Sequence, residues 1–83
     1  MEDPPPEGTI ERLRWLEAQA EQAYGDMYAA QAGSAPAARY SDAKEYLHDA
    51  IGLARRLGQS DEAERLAQRL EAIKAVFRGQ FPA

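Results

Sequence analysis

Eighty-three residues with a formal net charge of −4 and no cysteine limit the chain to one small domain, with no disulfide framework and no thiolate metal site. Alanine and other helix formers dominate, no stretch alternates apolar and polar residues, and no apolar run approaches a membrane-spanning length. The expected class is therefore all-α, and no membrane span is expected. Residues 1–31 carry seven acids against Arg12 and Arg14. No basic stripe is long enough to follow a phosphate backbone, and an acidic first helix is repelled by anionic lipid, so neither nucleic acid nor membrane is an expected partner.

In chain order, residues 1–8 read as a flexible proline-rich leader, since Pro4-Pro5-Pro6 favours polyproline geometry. It is acidic where a signal peptide would be basic and then apolar, so a cytoplasmic location is expected. A three-helix domain follows over 9–79. Its first helix is expected over about 9–31, with Thr9 as N-cap and Ile10, Leu13, Leu16, Ala20, Tyr24 and Met27 as the core stripe. Gly33-Ser34-Ala35-Pro36 ends it. The second helix starts at about 36 or 41, capped by Ser34 or Ser41, and runs to Leu57. Its stripe is Tyr40, Ala43, Leu47, Ala50, Ala54 and Leu57, and Gly58 supplies a left-handed stop. Ser60 or Asp61 is expected to cap the third helix, with Asp61 and Glu64 at capping-box spacing, and the helix continues to about Arg78. Its stripe is Ala63, Leu66, Leu70, Ile73 and Phe77, and residues 80–83 form a short tail. The short break at Gly58-Gln59-Ser60-Asp61 makes an antiparallel hairpin, and the whole reads as an up-down-up three-helix bundle.

Motifs that carry chemistry are sparse. Glu45 and His48 have the spacing used in di-metal carboxylate helices. His48 is the only histidine, however, and a metal site would need a second copy with inward carboxylates, so a solvated surface pair is expected. A lone histidine assembles no nucleophile–base set, and the glycines never cluster as a phosphate loop requires. No enzyme activity, cofactor or metal is therefore expected. Trp15 is the residue that core formation explains least. It lies roughly 200° around the helix from Leu13, among Glu11, Gln19, Gln22 and Asp26. Either it is an interface hot spot, or the Pro4–Pro6 leader or the Phe81 tail covers it.

Tyr24-Gly25 followed by Tyr28, and Ala43, Leu47 and Ala50 followed by Leu57-Gly58, resemble the two helices of a tetratricopeptide repeat. Residues 61–78 then resemble the first helix of a following repeat, so the likeness covers most of 19–81 as one and a half repeats. The link between Tyr28 and Ala43 is longer than the family's by about six residues, and Glu71 stands where a glycine is expected. In that family the first helices of the repeats line a concave groove that grips a peptide or a partner helix. The resemblance implies that Gln19, Gln22, Asp26 and Ala29, with Trp15, face such a groove. Arg65, Gln68, Ala72 and Val76, with Arg69 beside them, are its implied third-helix side.

The expected function is a small helical interaction module, an adaptor or regulatory subunit, binding a protein or peptide partner between the first and third helices. The residues expected to carry it are Trp15, Gln19, Gln22, Asp26, Arg65, Arg69, Ala72 and Val76. A self-assembling structural homodimer of helical hairpins is the alternative.

Overall fold

A computed structural model of the chain describes residues 3–29 and 36–80, the side chains of Tyr28, Ala29 and Gln80 excepted. They form three helices: α1 (Ile10–Ala29), α2 (Pro36–Arg56) and α3 (Ser60–Gln80). The break expected at 33–36 falls mainly outside the described residues, as does the Phe81 tail.

Each described boundary has a local cause. At the start of α1, Thr9 Oγ1 accepts from the Arg12 N–H at 3.0 Å and donates to the Pro6 carbonyl at 2.8 Å. The cap thus satisfies an orphan helix donor and also ties down the leader, which turns at Gly8 (φ 77°). α2 begins at Pro36, the earlier of the two expected starts. Its ring fixes a helical φ, and the N–H it lacks would be unpaired in the first turn anyway. Ser41 consequently lies inside the helix and is not its cap. At the other end Gly58 has φ 73°. Its N–H donates to the Arg55 carbonyl at 3.1 Å, and the Gln59 N–H donates to the Ala54 carbonyl at 2.8 Å. This pair of bonds is a Schellman stop, which needs a left-handed residue and so a glycine.

The N-cap position of α3 falls at Gln59, one residue before the expected Ser60 cap and two before the Asp61 cap. The Gln59 carbonyl accepts from the Ala63 N–H at 2.9 Å, so Ser60, Asp61 and Glu62 form the first turn and the expected Asp61/Glu64 box gives way. Asp61 and Glu62 still place negative charge at the positive end of the helix dipole.

The core joins all three helices. Leu13, Leu16 and Ala20 meet Leu47, Ala50, Ile51, Leu53 and Ala54 of α2 and Ala63, Leu66, Leu70 and Ile73 of α3. Ala20, Ala43, Ala50 and Ala54 are fully buried, and their small side chains let the helix backbones approach. Two expectations shift. Ile10, placed in the α1 stripe, is 38% exposed, whereas Ile51 and Leu53, left out of the α2 stripe, are buried. The α2 stripe is wider than one row because α2 is the central helix, with α1 on one side and α3 on the other. Tyr40 and Phe77 stack at 3.8 Å between ring centroids, holding the first turns of α2 to the last turns of α3. The backbones of α1 and α3 approach each other far less than either approaches α2, and the two helices meet mainly through side chains.

Candidate interaction surface

Two different flanks of α1 carry polar side chains towards its neighbours. On one flank, Glu17 and Glu21 lie four residues apart, one turn of helix. Arg65 Nη1 and Nη2 donate to the two Glu17 oxygens at 2.7 and 2.8 Å. Arg69 Nε and Nη2 donate to the two Glu21 oxygens, both at 2.7 Å. Arg65 also donates from Nε to Glu62 at 2.8 Å, and Arg69 lies over the Tyr24 ring at 5.0 Å. These bidentate pairs form a ladder along the α1/α3 seam. Arg65 holds the carboxyls of Glu17 and Glu62 below the usual glutamate range by hydrogen bonding, and the carboxylates in turn raise its own pKa. The bond to Glu21 likewise raises the pKa of Arg69.

The other flank faces α2. Trp15 is half-buried and packs against the core. Its ring meets Tyr46 edge-on, with centroids 6.1 Å apart and planes at 90°, and the Arg12 guanidinium stands 4.9 Å from its centroid. Gln19, Gln22 and Asp26 continue this row, lining a cavity of about 190 Å³ with Arg39, Asp42 and Tyr46 of α2. Arg12 lies at the opposite end of the row and lines a second cavity of about 270 Å³ with Glu7, Leu16, His48, Asp49, Gly52, Leu53 and Arg56.

The eight expected partner-binding residues therefore fall into two groups. Trp15, Gln19, Gln22 and Asp26 share the α1/α2 flank. Arg65 and Arg69 share the α1/α3 seam, and Ala72 and Val76 continue their face of α3 at helical spacing. Glu17 and Glu21 point about 150° around α1 from the centre of the Trp15 row, at 100° per residue. The expected groove in which Trp15 and its glutamines meet Arg65 and Arg69 is thus not formed, because Glu17 and Glu21 occupy the position facing α3. Trp15 is not opposite the core either, since α2 packs on that side of α1. Ala29, expected on the same face, is among the side chains not described.

Glu45 and His48 are exposed, and with Ser41, Lys44 and Lys74 they line a cavity of about 300 Å³ between α2 and α3. Two ammonium groups there oppose cation binding. Among the described residues no group of three or more His, Cys, Asp or Glu is placed to hold a metal ion, and no helix is long and apolar enough to cross a membrane.

Comparison with protein-family models, curated proteins and solved structures finds no match to this chain.

Sequence reasoning missed Glu17, Glu21, Arg12 and Tyr46. A signal existed for the first two. Glu17 and Arg65 are separated by 48 positions, as are Glu21 and Arg69, and matched spacing of opposite charges is what two parallel helices need. Arg12 and Tyr46 had no comparable signal, because their roles depend on how α1 crosses α2.

Proposed function

We propose that this protein is a small non-enzymatic helical interaction module, an adaptor or regulatory subunit, whose α1/α2 flank holds a peptide or helix of a protein partner. The observation that carries the reading is the row Gln19, Gln22 and Asp26 facing Tyr46, Asp42 and Arg39 across an open cavity, with Trp15 edge-on to Tyr46 beside it. A rigid aromatic pair offers apolar contact, and the glutamine amides offer donors and acceptors to a passing backbone. The α1/α3 face suits a partner less well, because the Arg65 and Arg69 donors are engaged with carboxylates. The tetratricopeptide likeness supports the reading by analogy, as does the absence of a nucleophile–base set in the sequence. A cytoplasmic setting belongs to the proposal and rests on the sequence alone.

The homodimer alternative has less support. Ile10 is the one exposed large hydrophobic residue among those described, whereas an obligate dimer needs an extended apolar patch. Trp15→Ala is a poor test, since losing the contact with Tyr46 also weakens the fold. The better test is affinity purification from the native cell, followed by calorimetry with the purified partner. Gln22→Arg should weaken binding tenfold or more, about 1.4 kcal/mol, while Ala72→Arg, also exposed, leaves it unchanged. The reverse result moves the surface to the α1/α3 face. Light scattering that gives a tight dimer favours self-assembly instead.

A further inference from the structure

Arg12 differs from Arg65 and Arg69, because the edge of its guanidinium that best receives a carboxylate is half filled and its Nε is buried. Nε and Nη2 form one edge, and a carboxylate placed against it accepts two parallel hydrogen bonds. Arg69 uses that edge fully on Glu21, and Arg65 uses it on Glu62. In Arg12, Nη1 donates to the Pro5 carbonyl at 3.0 Å and Nη2 meets Glu7 Oε1 at 2.8 Å, while Nε is buried with no hydrogen-bond partner. A buried unpaired donor carries a desolvation cost that a second carboxylate oxygen would remove.

The two partners are also unequal. The Arg12 side chain is 20% exposed and is held between the leader carbonyl and the Trp15 face, whereas the Glu7 side chain is 79% exposed. The receptor is mostly buried and tied to the Pro5 carbonyl, and its occupant meets it through one oxygen. We propose that the Arg12 cavity is a carboxylate-binding site, filled by Glu7 in the free protein and taken over by a Glu or Asp side chain of the peptide bound along the α1/α2 flank. The inference rests on the reading of that flank and adds the chemistry of the partner: an acidic side chain near the aromatic contact. Displacing Glu7 leaves Arg12 and Arg56 against Asp49 in the cavity. That balance suits one planar monoanion better than a phosphate dianion. His48 lines the same wall and can add a hydrogen bond to the second oxygen.

The test is an NMR titration of the full chain that follows the Arg12 Nε–H signal, with the neutral-ended peptide acetyl-Gly-Glu-Gly-amide as probe. A saturable shift is expected, with no response to acetyl-Gly-Gln-Gly-amide. In Glu7→Gln the internal competitor is gone, and binding should tighten by up to about five-fold, the range of a surface ion pair. Arg12→Lys keeps the charge but loses the fork together with the Nε–H probe, so it is followed through the backbone amides of His48, Asp49 and Gly52 on the cavity wall. The shifts the acidic peptide causes there in the unaltered chain should disappear while the rest of the amide spectrum stays folded. A stronger response to acetyl-Gly-Gly-Gly with a free carboxylate overturns the side-chain assignment in favour of a chain terminus. No Nε–H shift in Glu7→Gln with either acidic peptide, at millimolar concentration, overturns the site. The tripeptides are too short to need the glutamine row, so they still bind in Gln22→Arg if only the flank reading fails.

Discussion

Leu70 shows how much of this small fold rests on single side chains. It is 4% exposed and packs within the cluster that joins the three helices. Leu70→Ala should cost about 2–5 kcal/mol, the range for a buried leucine whose site relaxes only partly. That is a large share of the total for so small a domain. Urea unfolding followed by circular dichroism measures it, and a loss below about 1 kcal/mol would show that the site lies outside the cooperative core. Leu70 was identifiable from spacing alone, as were Leu47 and Leu66. Leu53 was not. It falls between two apolar rows of α2, and only the presence of helices on both sides of α2 turns that position inward. Trp15 was misjudged for a related reason: a helical wheel centred on one stripe has no place for a second neighbour.

At the scale of the helices, the α1/α3 ladder makes part of the stability depend on pH. The carboxyls of Glu17 and Glu62 titrate below their ordinary value in the folded chain because Arg65 donates hydrogen bonds to them. The unfolded chain therefore binds protons first on acidification. The contribution is complete above the ordinary glutamate pKa of about 4.3 and is lost as pH falls through the lower, folded-state value. Arg65 stays charged throughout and sets no upper limit. All these groups are partly exposed, which limits the magnitude: a double-mutant cycle on Glu17 and Arg65 should give about 0.3–1 kcal/mol at neutral pH. The coupling should shrink in high salt and disappear once pH has fallen through the lowered Glu17 value. A coupling independent of both salt and pH would mean that the methylene stems, and not the charges, hold the seam. The helix ends were largely legible beforehand. Thr9 and Gly58 act through their own side chain or backbone, so sequence is enough to find them. The Asp61 cap failed because the Gln59 carbonyl competes for the same turn, and nothing in side-chain chemistry decides between them.

For the whole molecule, the up-down-up order follows from two short connections and three apolar stripes, and it was expected from them. What sequence did not supply was the division of labour around α1, with charge facing α3 and aromatic contact facing α2. That division depends on the angles at which helices cross, which side-chain volumes set jointly and no single segment contains. The central place of α2 also has a kinetic consequence. Two local hairpins, α1 with α2 and α2 with α3, can each nucleate without the other, and the second closes through a glycine stop already suited to reversal. Sequence-local nuclei form quickly, and closure of a longer link costs only slightly more. The Gly58 turn should therefore be largely built in the rate-limiting state, while the α1/α3 ladder forms after it. Gly58→Ala, which strains a residue at φ 73°, should mainly slow folding, and Glu21→Gln should mainly speed unfolding. Stopped-flow traces followed through Trp15 fluorescence separate the two, and the opposite assignment would place the nucleus at the α1/α3 seam.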